Sequence, residues 1–290
     1  MLVASALISG LGLGSMYGLL ALGFYVTYSV SSTVNFSQGS SMMLGAVLAY
    51  TFAVTLGWPL WAAAALALAL CALYGIAVEL VGIRPFAKRG SNAWLMATVA
   101  IGIVVDNLVL FTFGKEPRGF PMPLATGSMQ VLGIGVAPLQ LAIPAAGLAL
   151  AAALHLFSQR TRLGKALLAV VQNADAARLM GINVSLAVSA AFAVSTVFAG
   201  VAGILIAPLF NVHSDMGTVF GLKAFAVAIL GGITSAWGVM LAGLIFGVAE
   251  ALITALLGSA YTQILTFALV IVVLALRPNG LFGHAEVKKV

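Results

Sequence analysis

The stretch that decides the fold opens the chain: residues Leu2–Tyr25 read LVASALISGLGLGSMYGLLALGFY and contain no charged side chain. The charge-free run continues to Val78, and the first charged residue of the chain is Glu79. A membrane-spanning helix needs about 20 consecutive apolar residues, so this run is long enough for more than one span.

Composition extends the same argument to all 290 residues. Hydrophobic residues make up 62% of the chain and charged residues only 7%, whereas a soluble domain has about 25% charged residues. So few charges cannot cover the surface of a water-soluble fold of this size. Composition therefore excludes a soluble enzyme, a disordered chain and a secreted disulfide scaffold, and it predicts an all-α, polytopic transmembrane helical bundle.

Polar, Gly/Pro and charged breaks divide the chain into nine apolar segments. Seven are clear spans: Leu2–Tyr25, Leu60–Ile83, Ala93–Phe113, Leu139–Phe157, Val184–Ala207, Val239–Leu257 and Tyr261–Leu276. Two are irregular, because Met42–Leu56 is short and Met216–Ile233 is interrupted by Gly221 and Lys223. We therefore predict nine crossings, or eight with a re-entrant segment, in a single transmembrane domain over residues 1–290.

The placement of basic residues predicts the orientation, because cytoplasmic loops carry an excess of Lys and Arg. Ten of the thirteen basic residues fall in three clusters: Arg84, Lys88 and Arg89; Arg160, Arg162, Lys165 and Arg178; and Arg277, Lys288 and Lys289. With all three clusters in the cytoplasm, the N-terminus lies outside and the C-terminus is cytoplasmic. The net charge of +6 then reflects topology, so the expected partner is membrane lipid and not nucleic acid.

Glycines recur at helical spacing in two spans. Gly10, Gly14 and Gly18 are four residues apart in the first span, and Gly243 and Gly247 repeat the spacing later. This spacing places small residues on one helix face, where a neighbouring helix can approach closely. We interpret both strips as packing surfaces; a channel lining is the alternative.

The sequence contains none of the common catalytic or metal-binding motifs. There is no Gly-x4-Gly-Lys-Ser/Thr loop, no His-Glu-x-x-His and no Cys/His cluster. The single cysteine, Cys71, lies in an apolar run, where a free thiol behaves as a small buried hydrophobic residue. We therefore expect no catalytic residue, no metal site and no cofactor.

Three ionisable residues lie within predicted spans: Asp106, Lys223 and Glu250. A charge at membrane depth costs about 2.5–3.5 kcal/mol even on lenient scales, so each needs a partner or a water-filled cavity. Lys223 could pair with Glu250 or with Asp106. These residues, with Asn107 beside Asp106, either hold helices together or line a translocation path.

The stretch Ser29–Ser41 is polar but uncharged, and it includes Asn35, Ser37, Gln38 and Gly39. An ordinary cytoplasmic loop would tolerate charges, so their absence predicts backbone partly buried at membrane depth. Irregular backbone occurs there only where protein or a cavity covers it, and broken helices are common substrate sites in transporters. The alternative is a short loop in which Asn35 or Ser37 caps the next helix.

The longest segment between spans, residues 158–183, is predicted to be cytoplasmic and to contain a short helix. Asp175 suits the positive end of a helix dipole, and Gly181 is placed to end the helix. The residues that form the expected docking surface are Arg162, Gly164, Asn173, Asp175, Ala176, Ala177, Arg178 and Gly181. Docking into a groove on a partner is one interpretation; a membrane-surface helix anchored by Arg and Lys is the other.

Several segments, in order along the chain, resemble the branched-chain amino-acid (LivH-type) permease family of ABC importers. The Asp175-Ala-Ala-x3-Gly181 pattern is similar to the family's coupling-loop motif, with Asp in place of the usual Glu. The other matching segments are Val34-Asn-Phe-Ser-Gln-Gly39, Arg84-Pro-Phe86, Gly221-Leu-Lys-Ala-Phe225, Leu230-Gly-Gly-Ile233 and Arg277-Pro-Asn-Gly-Leu-Phe-Gly283.

The chain departs from the family pattern at three places. Ser37-Gln38 stands where the family often has Ala-His, Ser40 stands where it often has an acid, and Asp106-Asn107 stands where it often has Gln-Asn. These positions fall in the candidate path and bear on the substrate. The family includes or borders permeases for urea, short amides and aromatic acids.

The resemblance implies a permease subunit of an ATP-driven importer in the bacterial inner membrane. Its expected partners are a homologous second permease subunit, two cytoplasmic ATPase subunits that bind the ATP, and an extracytoplasmic substrate-binding protein. The segment 158–183 would couple the ATPases to transport. The competing hypotheses are an ion-coupled secondary transporter, with Asp106 and Glu250 as ion sites, and a membrane scaffold without transport.

Overall fold

The computed structural model describes residues 2–122, 127, 129–131 and 134–283. Lys288 and Lys289 of the third basic cluster lie outside the described residues. Twelve helices form the described chain: α1 Leu2–Ser31, α2 Gln38–Tyr50, α3 Leu60–Val78, α4 Arg84–Ala87, α5 Trp94–Phe113, α6 Pro138–Arg160, α7 Arg162–Gln172, α8 Ala174–Leu179, α9 Val184–Ile206, α10 Met216–Gly231, α11 Ala236–Leu257 and α12 Ser259–Leu276.

Two helices continue into π-helical turns, and one short hairpin interrupts the helical pattern. The turn Thr51–Thr55 follows α2 and the turn Glu79–Ile83 follows α3. Strands β1 (Met129–Val131) and β2 (Ile134–Val136) pair antiparallel, with Gln130 opposite Gly135.

The predicted helical bundle is confirmed, and each of the nine apolar segments coincides with a helix. Seven helical stretches are long and apolar enough to cross a membrane, and Met216–Gly231 is a shorter apolar helix. The number of crossings and the positions of the termini stay predictions. The irregular part of Ser29–Ser41 is smaller than expected, because α1 runs to Ser31 and α2 begins at Gln38.

The helices group into two compact units, each built from separate parts of the chain. The first unit comprises Met1–Tyr25, Pro123–Ala151 and Lys223–Val290; the second comprises Val26–Met122 and Ala152–Leu222.

Within the first unit, the predicted glycine strips of α1 and α11 pack against each other. A methyl group at Gly10 would come 2.7 Å from the Cα of Val248, and one at Gly14 would come 2.6 Å from the carbonyl oxygen of Gly243. Close helix approach through small residues is thus confirmed for this pair.

In the second unit, α2 lies at the centre, packed against α3, α5 and α9. Ten of its thirteen residues are buried. Glycines again permit the approach, since a methyl group at Gly45 would come 2.5 Å from the carbonyl oxygen of Gly200 on α9. Cys71 is buried as expected, with its sulfur 3.8 Å from the carbonyl oxygen of Ser41.

Candidate functional site

A buried polar turn, residues 32–37, joins α1 to α2. Asn35 and Ser37 are fully buried and Thr33 nearly so. The Oδ1 oxygen of Asn35 accepts from the backbone N–H of Ser37 (3.0 Å) and from its hydroxyl (2.6 Å). Ser32 adopts a left-handed backbone conformation, with φ of 52°. The turn is therefore buried, and the alternative of a side-chain cap on α2 is not met at Ser37; Asn35 instead bonds to Ser37, the residue before the helix.

The first residues of α2 contact two other helices of the second unit. Gln38 donates from Nε2 to the carbonyl oxygen of Ser195 on α9 (3.0 Å) and accepts from the Ser195 hydroxyl (3.1 Å). Gly39 packs against the start of α10, where a methyl group at Gly221 would come 2.9 Å from the Cα of Gly39. Both polar atoms of the Gln38 side chain are thus hydrogen-bonded to α9, and Gly39 permits close packing against α10.

Of the two adjacent candidates on α5, Asp106 faces the protein and Asn107 does not. Asp106 is half-buried and interacts with the hydroxyl of Ser40. One turn earlier, a methyl group at Gly102 would come 3.1 Å from the Ser40 oxygen. Asn107 is exposed and donates to the carbonyl oxygen of Ile103 in its own helix (2.8 Å). Two of the departures from the family pattern, Ser40 and Asp106, are therefore neighbours.

Lys223 pairs with Glu250 and not with Asp106. The Lys223 Nζ lies 2.5 Å from the Oε1 of Glu250, and each side chain is only 10% exposed. The Tyr17 ring of α1 lies 5.9 Å from the same nitrogen, which is cation–π distance. The arrangement joins three helices of the first unit, as expected of charges that hold helices together.

The coupling segment, residues 158–183, folds as two capped helices. The Thr161 hydroxyl accepts from the N–H of Gly164 at the start of α7 (2.9 Å). The Asn173 side chain accepts from the N–H groups of Asp175 (3.1 Å) and Ala176 (2.9 Å) at the start of α8. Gly181 ends α8 as predicted, with φ of 83°.

An apolar cluster, here called the coupling cluster, fixes the coupling segment to the membrane helices. Its buried members are Val170, Ala177 and Ala187, and the partly buried members are Val30, Leu167, Ala169, Ala174, Ile182 and Val184. Because Ala177 points into this cluster, its small size serves packing under α9. The residues that α8 presents outward include Asp175, Ala176 and Arg178. Leu179, the last residue of α8, and Met180, which follows it, are 89% and 82% exposed.

A second connection to α9 is an ion pair between the buried Glu79 and the partly exposed Arg84. Arg84 donates from Nε and Nη2 to the two carboxylate oxygens of Glu79, both at 2.8 Å. Ser189 of α9 donates to the same carboxylate at 3.0 Å. Glu79 thus bonds both to the loop that carries Arg84 and to α9, and the part played by Ser189 had no sequence signal. No group of three or more His, Cys, Asp or Glu side chains that could hold a metal occurs in the described part of the chain.

These features define a class of protein: a multi-pass helical membrane protein with a buried, uncharged break between two helices. Residues 6–274 match the family model described as the branched-chain amino acid transport system permease component, and the chain belongs to this family.

Branched-chain amino acid permeases from two bacteria match over nearly their whole length. The chain is 32% identical to the high-affinity branched-chain amino acid permease LivH of Escherichia coli (strain K12), covering 97% of this chain and 96% of the relative. It is 33% identical to BraD of Pseudomonas aeruginosa, over 98% and 97%. A solved structure, PsaBC from Streptococcus pneumoniae with Fab, shares the fold with a TM-score of 0.51 at 12% identity, covering 94% of this chain and 91% of that one.

The chain is therefore a multi-pass permease subunit of an ABC importer of the inner membrane, a class of subunit that works with ATPase and binding-protein partners. The secondary-transporter and scaffold hypotheses gain no support from these relatives.

Proposed function

We propose that this subunit translocates branched-chain amino acids delivered by an extracytoplasmic binding protein. The observation that carries the proposal is identity of about one residue in three, over 97% of the chain, with relatives named for that transport. Urea, short amides and aromatic acids are the alternative substrates. The chain acts as a single permease domain, paired with a homologous second permease subunit and with two cytoplasmic ATPases that bind and hydrolyse ATP.

The proposed path for the substrate follows the polar turn and the start of α2. Asn35, Ser37, Gln38 and Gly39 lie there, and Asp106 faces it from α5. Asn107 is left out because it is exposed and bonded within its own helix. Lys223 and Glu250 are assigned to helix packing because they neutralise each other.

The coupling segment is the proposed contact with the ATPases. Two large apolar side chains, Leu179 and Met180, are almost fully exposed beside the end of α8, and exposed apolar groups of this kind mark interaction sites. The caps at Thr161 and Asn173 hold α7 and α8 in place. A partner groove that receives Leu179 and Met180 would be anchored to α9 through the coupling cluster.

Copurification tests this assignment. The importer would be expressed with its ATPase subunits and purified through a tag on the permease. The unmodified chain should retain the ATPases, and Leu179→Asp should lose them because it places a carboxylate in an apolar contact. Arg89→Asp, which adds a carboxylate to another exposed cytoplasmic loop, is the control. Absence of ATPases from the unmodified complex would contradict the importer assignment, and full retention by Leu179→Asp would contradict only the docking site.

A further inference from the structure

The start of α2 holds hydrogen-bond donors that the protein leaves without acceptors. The Nδ2 of Asn35 has no hydrogen-bond partner, although Asn35 is wholly buried. Buried donors in native proteins nearly always have an acceptor, so an exception calls for an explanation. A ligand that binds there in another step of transport is one such explanation.

The location of this donor follows from its own side chain. The Oδ1 of Asn35 is held by the N–H and hydroxyl of Ser37, the residue that precedes α2. Because Nδ2 belongs to the same planar amide, it also lies at the start of α2. The two hydrogen bonds that Oδ1 accepts from Ser37 therefore also fix the position of the free Nδ2.

Backbone N–H groups add further donors at the start of α2. The side chain of Ser37 does not cap α2, and the N–H groups of Gly39 and Ser40, in the first turn of α2, belong to the donors that a helix itself leaves without an acceptor. The start of a helix also carries the positive end of the helix dipole. Free amides and this field together form a site suited to a carboxylate.

A carboxylate group, that of Asp106, lies beside these donors. Asp106 interacts with the hydroxyl of Ser40, and its Oδ1 is buried without a hydrogen-bond partner. Gly102, one turn before Asp106, packs against Ser37 and Ser40. A carboxylate on α5 therefore adjoins the helix start that offers the free donors.

We propose that the start of α2 binds the carboxylate of a zwitterionic amino acid, with Asn35 Nδ2 and the first N–H groups of α2 as donors, and that Asp106 binds the ammonium group. The assignment rests on the proposed function and deepens it, because it specifies which chemical groups of the substrate the permease contacts. Urea and short amides carry neither charge and would gain little from this pair. The helix start is closed in this structure, so binding requires that it opens during the transport cycle.

The experiment uses a cysteine at the site as a reporter. Ser40→Cys would be introduced with Cys71→Ala, which leaves one thiol in the chain. The complex with the ATPases would be labelled with N-ethylmaleimide, without nucleotide and with a non-hydrolysable ATP analogue, in the presence of leucine or leucinamide. Leucinamide keeps the ammonium group and the side chain but lacks the carboxylate.

We expect leucine to slow labelling at concentrations about tenfold lower than leucinamide, because a hydrogen bond to a charged group contributes about that much to affinity. Adding Asn35→Asp should abolish the advantage of leucine, since it replaces a donor with a negative charge. Asn92→Asp, the same change at an exposed position before α5, should leave the advantage intact.

Three results would overturn the proposal: equal protection by leucine and leucinamide, an unchanged advantage in Asn35→Asp, or no labelling of the cysteine in either nucleotide condition. In each case an intact complex that still hydrolyses ATP would show that the importer assignment stands and the carboxylate site does not. A complex that fails to retain its ATPases would instead refute the proposed function.

Discussion

Lys223 and Glu250 show how a charge is accommodated inside the membrane helices. Each would cost about 2.5–3.5 kcal/mol alone in a span, but each has the other as a counter-charge at 2.5 Å. The pair joins the middle of α10 to α11. We expect the pair to serve assembly, so its loss should first reduce the yield of folded protein.

Replacing Glu250 with Leu should lower the yield and thermal stability of the folded permease, because it leaves Lys223 buried without a counter-charge. Breaking a buried pair in this way costs about 3–5 kcal/mol, whereas replacing both partners with apolar residues is often neutral. Lys223→Leu with Glu250→Leu should therefore recover most of the yield, measured by size-exclusion chromatography and thermal melting. A double variant that folds normally but transports a different set of substrates would place the pair in the path.

The sequence identified the charged residues at membrane depth but could not choose between their partners. Lys223 had two possible acids, and the choice depends on which helices are adjacent. Asp106 and Asn107 are neighbours in sequence, yet only the first faces protein. Their orientation depends on the rotation of α5 about its axis, for which a helix of almost uniformly apolar residues gives no signal.

At the scale of elements, the coupling cluster connects Val30 of α1 to a stretch of the second unit, residues 167–187, that is far from it in sequence. It holds α7 and α8 against the start of α9, and it includes Val30 from the last turn of α1. The polar turn begins two residues after Val30. A displacement of the coupling segment can thus reach the turn through a direct packing contact.

Val30→Ala should uncouple ATP hydrolysis from transport, because it removes the side chain that joins α1 to the coupling cluster. We expect uptake per ATP hydrolysed to fall about tenfold in proteoliposomes, a typical size for coupling between sites. Val26→Ala removes the same atoms from a buried position one turn earlier, outside the cluster, and serves as the control. Equal ratios of uptake to hydrolysis in the two variants would show that the contact carries no coupling.

Helices were predictable as elements, and their ends less so. Each apolar segment became a helix, since about 20 apolar residues have few other stable structures in a membrane. The end of α1 lies six residues beyond the predicted end, because polar side chains after Tyr25 bond to the helix backbone. The Ser31 hydroxyl, for example, donates to the carbonyl oxygen of Thr27 (2.7 Å). Ala177 was expected in a contact surface but lies in an apolar cluster with its neighbours along the chain and with the distant Val30.

At the scale of the whole molecule, the path of the chain through the membrane depends on its two short helices. α2 and α10 have 13 and 16 residues, fewer than the roughly 20 that a perpendicular crossing needs. Nine crossings place the loop between α10 and α11 in the cytoplasm. A re-entrant α10 would place that loop outside.

Thr234, which is exposed in that loop, allows a direct test. In a Cys71→Ala background, Thr234→Cys should react with a membrane-impermeant thiol reagent only after the cells are permeabilised, because we place the loop inside. Glu116→Cys, in the loop after α5, should react in intact cells and serves as the control. Reaction of the Thr234→Cys variant in intact cells would favour the re-entrant alternative.

The fold class was predictable because composition constrains the whole chain at once: a 290-residue chain with 7% charged residues has few alternatives to a helical bundle. The grouping into two units was not. It depends on contacts such as those of Gly45 with Gly200 and of Gly14 with Gly243, which join residues more than 150 positions apart. Such pairs leave only a preference for small residues in the sequence, without naming the partner.

The contact between Gly14 and Gly243 also implies a delay during synthesis of the chain, because its two helices are made at different times. The two residues are 229 positions apart, and a ribosome adds about 5–20 residues per second. The first span therefore waits roughly 10 to 50 seconds before the helix that covers its glycine face has been made. During that interval lipid or an insertion factor must shield the nascent surface, which makes the order of translation part of how this permease is assembled.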